Sequence, residues 1–438
     1  MKVKVIGAGL AGCEAAWQLA MRGVDVVLSD MKPSVMSPAH HSGDFCELVC
    51  SNSLKSNAVD NACGLLKEEM RLLSSLVISC ADAVRVPAGG ALAVDRDAFA
   101  SLVTEKIRSC RNIEIEEKVT DKIDADVYTI VATGPLTHEA LLGEISRLSG
   151  ERMFFCDAAA PIVSRESVDF NNAYMSARYG KGGADYINCP MTKDEYEAFY
   201  EALISAQTAP LHDSDSSALR AAYFEGCMPI EAMARRGKDT IRYGPLKPKG
   251  LPDPKTGREP YAVVQLRQDN EAATMYNLVG FQTNLKFGEQ RRVFSMIPAL
   301  RTAEFLRYGV MHKNTYINSP ALLDCRYALK SNDHIYFAGQ ITGVEGYVES
   351  AASGLCAGLN IGAREATVFP DTTCIGALAK YISSPPPHGN FQPMNANFGI
   401  IAPLEMRVRN KRERYASIAK RALEHIKEYK AYKECKKI

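Results

Sequence analysis

Three glycines near the N-terminus, Gly7, Gly9 and Gly12, have the G-x-G-x-x-G spacing of a turn that can hold a pyrophosphate. They lie between an apolar, β-branched run at residues 3–6 and a segment with helical apolar spacing, and the next apolar run ends on Asp30. Glycines let the backbone approach a pyrophosphate, a helix N-terminus offers it free N–H groups, and a carboxylate accepts hydrogen bonds from a ribose. The combination predicts a strand–turn–helix–strand unit that binds a dinucleotide.

Two later runs that end in glycine favour FAD as that dinucleotide. Residues 126–133 form an apolar run that leads into Gly134, and such a strand ending in Ala-Thr-Gly resembles a second signature of flavoproteins of the glutathione-reductase type. Residues 334–339 form another apolar run, and a glycine-rich entry to a helix follows, which suits an anion or a ring edge. The residues predicted to bind the cofactor are Gly7, Ala8, Gly9, Leu10, Ala11, Gly12, Asp30, Thr133, Gly134, Gly339 and Gln340.

The cysteines and histidines do not have the spacing of a metal site. The 13 cysteines are scattered without a CxxC pair, and Cys46 and Cys50 lack the second paired cluster that a zinc site needs. His40, His41 and His312 form no pair with metal-ligand spacing. We therefore expect no metal, and we expect most cysteines to be small core residues.

Length and composition indicate a cytoplasmic protein of two domains. A chain of 438 residues is too long for one ordinary core. Hydrophobic residues make up 46% and charged residues 24% of the chain, which is typical of a globular protein. No apolar run has the length that spans a bilayer, and the first strand begins without a leader segment, so a cytoplasmic location without a membrane is predicted.

The last 32 residues carry an unusual charge. Residues 407–438 contain twelve Lys or Arg against four Glu, a net charge of +8, whereas the whole chain has +1 and the remainder therefore about −7. Apolar residues recur at helical spacing in this segment, which predicts an amphipathic helix with one face docked. Its basic face is either a solvated surface or a contact for a polyanion such as RNA.

The middle of the chain differs from its two ends. Helical spacing is present at residues 65–77 and 96–107, whereas residues 186–189, 261–266 and 276–281 are strand-like runs separated by loops rich in Pro and Gly. The predicted fold class is α/β: a Rossmann-like FAD-binding domain of glutathione-reductase type with an inserted α+β domain. The predicted divisions are 1–185 and 331–438 for the FAD-binding domain and 186–330 for the inserted domain.

Several long motifs resemble one family. They are IGAGLAGCEAAWQLA, ELVCSNSLKSN, FEGCMPIE, RYGPLKP, YNLVGFQTNLKFGEQRRVFSMIP, RYGVMHKNTYINSP, FAGQITGVEGYVESAASG and FQPMNANFG, and they extend from the first strand to Gly399. Over nearly its whole length the chain resembles the folate- and FAD-dependent tRNA (uracil-5-)-methyltransferases (TrmFO). These enzymes are relatives of the larger GidA/MnmG-type flavoproteins that modify the wobble uridine of tRNA.

This resemblance implies an activity and its cosubstrates. The chain is expected to take a methylene group from 5,10-methylenetetrahydrofolate and to reduce it with NADH or NADPH through FAD. The expected product is 5-methyluridine in the T-loop of tRNA, at position 54. The expected partners are the tRNA T-arm and the small folate and nicotinamide cosubstrates, without DNA or a membrane.

The resemblance also implies roles for two cysteines. Uracil C5 becomes nucleophilic when a thiolate adds at C6, and the cysteine in FEGCMPIE has that role in the family, which assigns it to Cys227. Cys50, in ELVCSNSL, is expected beside the flavin. Glu225 is a candidate for proton transfer at the uracil, or else a structural acid that caps the following helix. Asp30 stands where relatives have Glu, and either carboxylate can accept from a ribose hydroxyl.

Basic residues near these motifs have two interpretations. Arg235, Arg236 and Arg242 follow Cys227 closely in sequence and could favour its thiolate. Lys286, Arg291 and Arg292 could bind phosphates of tRNA or the glutamate of folate, or they could be a solvated basic loop.

Other functions remain open at the level of sequence. The same chemistry could act on ribosomal RNA. Wobble-uridine modification with a partner GTPase is a further alternative, although the C-terminal helical region of the larger relatives is not evident. The last alternative function is that of a flavin-binding protein that associates with RNA without catalysis. The two motif cysteines argue against this alternative.

Overall fold

The computed structural model describes residues 1–37, 39–149, 152–209, 228–309, 311–363, 365–385 and 391–435. Its strands are β1 (Lys2–Ile6), β2 (Asp25–Asp30), β3 (Ser53–Ser56), β4 (Arg85–Val86), β5 (Ala91–Val94), β6 (Ile113–Glu117), β7 (Thr129–Val131), β8 (Arg152–Ala158), β9 (Ile162–Ser164), β10 (Tyr174–Ser176), β11 (Tyr186–Met191), β12 (Ala262–Gln268), β13 (Met275–Leu278), β14 (Phe305–Arg307), β15 (Met311–Ile317), β16 (Ala328–Leu329) and β17 (Asn332–Phe337). Its α-helices are α1 (Leu10–Ala20), α2 (Ala62–Leu72), α3 (Leu76–Ala83), α4 (Arg96–Ser109), α5 (Glu139–Ser149), α6 (Lys193–Ser205), α7 (Ile230–Ala234), α8 (Thr240–Tyr243), α9 (Phe287–Phe294), α10 (Ser319–Leu322), α11 (Tyr347–Asn360), α12 (Cys374–Ser383) and α13 (Lys411–Cys435).

The first sheet has the strand order β16-β17-β7-β1-β2-β6. All neighbouring pairs are parallel except β16 with β17, which is antiparallel. The carboxyl ends of the parallel strands therefore meet at one edge, where ligands bind in open α/β sheets. This sheet and its helices confirm the predicted α/β class with a Rossmann-like nucleotide-binding unit.

Helices α1 and α11 pack unusually closely on each other. Gly354 and Gly358 of α11 lie against Ala11 and Ala15 of α1, and a Cβ at Gly354 would come within 2.0 Å of the Ala11 carbonyl oxygen. A side chain at this position would separate the two helices. The close contact holds the return segment of the chain against the N-terminal glycine turn.

The second sheet is antiparallel, with the order β10-β11-β12-β13-β9-β14. The chain enters it after β8 and leaves it before β15, and these two strands pair as an antiparallel ribbon. One face of the sheet buries an apolar core under α6, α7 and α9. Its first strand begins at Ile162, before the predicted start of the inserted domain at 186, and the domain divisions themselves stay a prediction.

The helical spacing at residues 65–77 spans two helices in the structure. Helix α2 ends at Leu72, Ser74 adopts a left-handed φ of 60°, and α3 starts at Leu76. The Ser75 hydroxyl accepts a hydrogen bond from the Ile78 N–H and caps α3. The apolar spacing continued across this break because both helices bury their faces in one core.

The amphipathic C-terminal helix is confirmed as α13. Ile418, Ala422 and Ile426 are buried at the helical spacing of one face. Cations such as Lys420 and Lys427 are exposed on the others. A contact of this basic surface with RNA stays a prediction.

A buried carboxylate on α2 holds the N-terminus of α12. Glu69 accepts hydrogen bonds from the backbone N–H groups of Cys374 (2.7 Å) and Ile375 (2.9 Å). Burial raises the pKa of Glu69 to about 8, although both hydrogen bonds oppose the shift. The side chain thus joins an internal helix of the first domain to its return segment.

Replacement of Glu69 by Gln is expected to flatten the dependence of stability on pH. The pKa of Glu69 is above its ordinary value of 4.5 in the folded chain, so unfolding releases a proton between pH 4.5 and about 8. This group therefore stabilises the fold fully below pH 4.5, and its contribution is lost as the pH rises through 8. Tm measured from pH 5 to 9 should fall more steeply for the natural chain than for Glu69→Gln. Equal slopes would contradict the shift.

Candidate active site

The turn between β1 and α1 requires two of its three glycines for steric reasons. Gly7 has a φ of +101°, and a Cβ there would lie 2.5 Å from the Ala132 carbonyl oxygen. A Cβ at Gly12 would lie 1.8 Å from the carbonyl oxygen of Gly7, so the helix can pack against the strand only without one. Gly9 differs, since a Cβ there would meet nothing within 4 Å. Gly9 faces open space, where a bound group can approach the backbone.

The N-terminus of α1 is open to an anion. Gly9 is its N-cap, and no side chain caps the helix. The carboxylate of Asp30 lies beside this turn, accepting from the N–H of Ala8 at 2.5 Å and from the N–H of Lys32 at 2.8 Å. Each carboxylate oxygen keeps a further acceptor site. Asp30 therefore fixes the turn to the end of β2, and its predicted contact with a ribose stays a prediction.

These residues line a cleft at the carboxyl edge of the first sheet. The predicted cofactor residues in its wall are Gly7, Gly9, Leu10, Ala11, Asp30, Thr133, Gly134, Gly339 and Gln340. Ala8 and Gly12 are the exceptions, since they lie behind the wall and support the turn. The structure therefore brings together three segments that are more than a hundred residues apart in sequence.

The return segment closes one side of the cleft. Gly339 has a φ of +84°, and its N–H donates to the Ser353 hydroxyl at 2.6 Å. Gln340 donates through Nε2 to Oε2 of Glu345 at 2.6 Å. Both residues are thus held by hydrogen bonds to α11 and to the segment that leads into it.

Cys50 lies in a loop held by residues from distant parts of the chain. The Tyr347 hydroxyl, at the start of α11, accepts from the N–H groups of Cys50 (2.8 Å) and Ser51 (3.2 Å). Arg267 of β12 donates to Oγ of Ser51 at 2.7 Å and to Oδ1 of Asn52 at 3.0 Å. Cys50 is half-buried, and its neighbour Val49 and Tyr347 both line the cleft. The loop thus places Cys50 where the cleft meets the second sheet.

A buried ion pair fixes the two parts of the chain together beside this loop. Arg96 of α4 pairs with Asp269 after β12, with Nε–Oδ2 at 2.9 Å and Nη2–Oδ1 at 3.2 Å. Burial disfavours the Arg96 cation, but Asp269 together with Tyr347 and Cys50 outweighs this effect, and the pKa of Arg96 rises. Arg96 also donates to the Leu48 carbonyl oxygen, two residues from Cys50. The ion pair therefore supports the position of the cysteine loop.

Removal of the charge on Asp269 is expected to destabilise the protein strongly. Asp269→Asn leaves the Arg96 guanidinium buried without a full counter-charge, which costs about 3 kcal/mol or more. The matched control is Asp82→Asn, which breaks the more exposed Arg71–Asp82 pair and should cost less than about 1 kcal/mol. Thermal unfolding should show a large decrease in Tm only for Asp269→Asn. Equal decreases would show that the buried pair has no special role.

Cys227 and Glu225 lie outside the described residues. The chain on both sides of them is attached to one loop: the Ala209 N–H donates to the Asn284 carbonyl oxygen and the Ile230 N–H to that of Gln282, both at 2.7 Å. Glu231, the last residue of the FEGCMPIE motif, accepts from Oγ1 of Thr283 (2.9 Å) and the N–H of Asn284 (2.8 Å). The motif is therefore joined to the NLKFGEQRR motif through its buried glutamate.

The arginines after Cys227 have different surroundings. Arg235 is exposed, whereas Arg242 stacks on the ring of Tyr261 at 4.2 Å and donates to its carbonyl oxygen. Their predicted effect on the Cys227 thiolate stays a prediction.

In the described ranges no group of His, Cys, Asp or Glu could hold a metal ion, and no helix there is long and apolar enough to cross a membrane.

Several residues of the cleft wall were not predicted from the sequence. They are Lys32, His40, Glu47, Lys118, Val119, Thr120, Thr137 and Tyr347, among others. Lys118–Thr120 follow the carboxyl end of β6, so the rule that ligands bind beyond strand ends could have identified them. His40 and Glu47 belong to a loop without regular spacing, which left no such signal.

Comparison with known proteins gives consistent matches over nearly the whole chain. The profile of the family described as glucose inhibited division protein A matches residues 2–367. The methylenetetrahydrofolate–tRNA-(uracil-5-)-methyltransferase TrmFO of Acetivibrio thermocellus is 59% identical, over 98% of this chain and 98% of its own. TrmFO of Staphylococcus carnosus is 54% identical with the same coverage.

A solved structure supports the fold independently. Aquifex aeolicus GidA superimposes with a TM-score of 0.68 at 15% identity, and the match covers all of this chain and 76% of that one. At 15% identity this similarity shows the fold alone. The profile match and the full-length identities place the chain in the glucose inhibited division protein A family, among its TrmFO members.

Proposed function

We propose that this protein is a methylenetetrahydrofolate–tRNA-(uracil-5-)-methyltransferase that forms 5-methyluridine in the T-loop of tRNA. The observation that carries the proposal is the identity of 54–59% over at least 97% of the chain to several proteins of that name. The finer proposal adds FAD as the bound cofactor, NADH or NADPH as the reductant, the T-arm as the RNA site and the cytoplasm as the location.

The residues of the cleft fit FAD. The open face of Gly9 and the uncapped N-terminus of α1 suit a pyrophosphate, and Asp30 retains acceptor capacity for a ribose. Gly339 and Gln340 would also hold it, because they line the same cleft as Tyr347, whose hydroxyl accepts from the Cys50 loop. When bound, FAD would carry the one-carbon unit and would be the source of the hydride that reduces it.

The protein's own part in the reaction is nucleophilic and acid–base catalysis. The Cys227 thiolate adds to uracil C6, which forms a C–S bond and turns C5 into an enolate-like nucleophile that attacks the one-carbon donor. A base, for which Glu225 is the candidate, then removes the C5 proton as the bond between the one-carbon unit and its carrier breaks, which leaves an exocyclic methylene on C5. Hydride addition to this methylene completes the methyl group, and elimination of the Cys227 thiolate from C6 restores the C5–C6 double bond. Cys50 is proposed to act beside the flavin.

Ribosomal RNA is the alternative substrate that requires a direct test. Total tRNA and ribosomal RNA from a strain that lacks this gene should be compared with those of the parent strain by mapping 5-methyluridine. The proposal expects loss of the T-loop modification in tRNA and unchanged ribosomal RNA. Loss confined to ribosomal RNA would reject the tRNA substrate while leaving the chemistry in place.

Wobble-uridine modification has weaker support. The chain aligns with 76% of the length of Aquifex aeolicus GidA at 15% identity, far below its identity to TrmFO proteins. Recovery of a stoichiometric GTPase with the purified protein would be the observation in its favour.

A further inference from the structure

Three aromatic rings form a parallel stack on the second sheet that extends from its core to solvent. The rings of Phe305 and Tyr308 are 5.6 Å apart at 9°, and those of Tyr308 and Phe287 are 5.0 Å apart at 16°. Phe305 also contacts the buried Phe294 at 6.4 Å. Phe287, the outermost ring, is 54% exposed. Because Tyr308 covers one face of Phe287, much of this exposure belongs to the opposite face.

A buried glutamine holds this aromatic stack in place. Gln290 donates through Nε2 to the carbonyl oxygens of Leu285 and Gly309, both at 2.7 Å, and accepts from the Gly309 N–H at 2.8 Å. Leu285 and Gly309 are close in sequence to Phe287 and Tyr308, respectively. The outer ring is therefore held in position before anything binds, and a flat ligand would lose little entropy in ordering it.

Cationic side chains lie before and after Phe287 along the chain. Lys286 precedes Phe287, and Arg291 lies four residues after it, on the same face of α9. Both are exposed, and neither makes an ion pair within the described part of the chain. Glu289, the acid of this helix, pairs with Arg292 at 2.6 Å. The surface around the ring thus combines an aromatic face with two cations.

The aromatic stack is also close in sequence to residues that contact other parts of the chain. Asn284 and Gln282, which accept from the N–H groups of Ala209 and Ile230, lie three and five residues before Phe287. On the other side, Arg307 precedes Tyr308: burial and Arg96 lower the pKa of Arg307, while Asp269 and the cleft residue Glu47 oppose that shift. The stack is thus adjacent in sequence to the loop that holds Ala209 and Ile230, and to an arginine within electrostatic range of the cleft residue Glu47.

We propose that Phe287 is a stacking platform for an unstacked nucleobase of the RNA substrate, with Lys286 and Arg291 on the flanking phosphates. The inference rests on the proposed function, because it assumes that RNA is bound. An enzyme that reacts with C5 and C6 of a base must take that base out of its stack, which leaves neighbouring bases without a partner. An aromatic face beside cations binds such bases irrespective of their sequence.

The test compares variants of Phe287 in binding and turnover of an unmodified tRNA transcript. Phe287→Ala and Phe287→Leu should both raise the Kd and KM for tRNA by about tenfold, since base stacking contributes about 1–3 kcal/mol. Phe287→Trp should retain the affinity of the natural chain. The KM for methylenetetrahydrofolate should not change. Leu306→Ala, which removes a neighbouring exposed apolar side chain outside the aromatic stack, is the matched control.

The role of Lys286 and Arg291 is tested by a separate measurement, the salt dependence of tRNA binding. Lys286→Ala and Arg291→Ala should each reduce the slope of log Kd against log salt concentration by about one. An unchanged Kd for tRNA in Phe287→Ala would overturn the inference, as would a rise in KM for the folate instead of the tRNA. Since Kd is measured without turnover, these outcomes are distinct from a failure of the natural chain to methylate tRNA, which would reject the proposed function.

Discussion

Replacement of Cys227 by serine is expected to reduce 5-methyluridine formation by at least about a thousandfold, because an alkoxide is not available at neutral pH to add to uracil C6. The purified variant should still contain FAD, since the cleft residues come from other segments of the chain. Single-turnover assays with tRNA, methylenetetrahydrofolate and NADPH would measure the loss.

A matched cysteine separates this effect from a general sensitivity to thiol loss. Cys110 is half-buried and follows α4, outside the motifs and the cleft wall. Cys110→Ser should therefore keep both flavin and activity. If Cys227→Ser remained as active as Cys110→Ser, the nucleophile would be another group and the proposed mechanism would be wrong.

Alanine at Gly12 and at Gly9 should have different consequences, although both belong to one motif. A Cβ at Gly12 would overlap the carbonyl oxygen of Gly7 at 1.8 Å, which forces α1 away from β1 and is expected to cost about 3 kcal/mol. A Cβ at Gly9 would meet no protein atom within 4 Å, so the fold should be unchanged. That methyl group would enter the cleft, and FAD affinity should fall by about tenfold or more.

Two measurements distinguish the glycines. Thermal unfolding of the flavin-free protein should show a lower Tm for Gly12→Ala and an unchanged one for Gly9→Ala, and flavin titration should show weaker binding for Gly9→Ala. Gly143→Ala is the control, because Gly143 lies in α5 with nothing within 4 Å of a Cβ. Equal FAD affinity in Gly9→Ala and the natural chain would mean that the pyrophosphate does not approach this turn.

The dinucleotide-binding unit was predictable because its physical requirements are local. The close approach of helix to strand restricts Gly12, and the turn restricts Gly7, so spacing alone carries the information. The family could be recognised from long motifs, and the fold class followed. Local spacing was misleading at residues 65–77, where Ser75 caps a second helix that buries its apolar face in the same core.

The surroundings of Cys50 could not be predicted for a different reason. Its loop is held by Tyr347 and Arg267, which are more than 200 residues away in sequence and come from two different parts of the fold. The pairing of Arg96 with Asp269 spans 173 residues. Such contacts depend on how the second sheet lies against the first, and no periodicity within either segment encodes this arrangement.

The origin of the methyl carbon is the most direct test of the proposed function. The purified protein should be supplied with unmodified tRNA, NADPH, FAD and methylenetetrahydrofolate labelled with ¹³C in its methylene group, and the nucleosides should be analysed by mass spectrometry. The proposal predicts 5-methyluridine in the T-loop with the label in its methyl group, and no product when S-adenosylmethionine is the only one-carbon donor. Product formed from S-adenosylmethionine, or unlabelled product in the presence of the labelled folate, would contradict it.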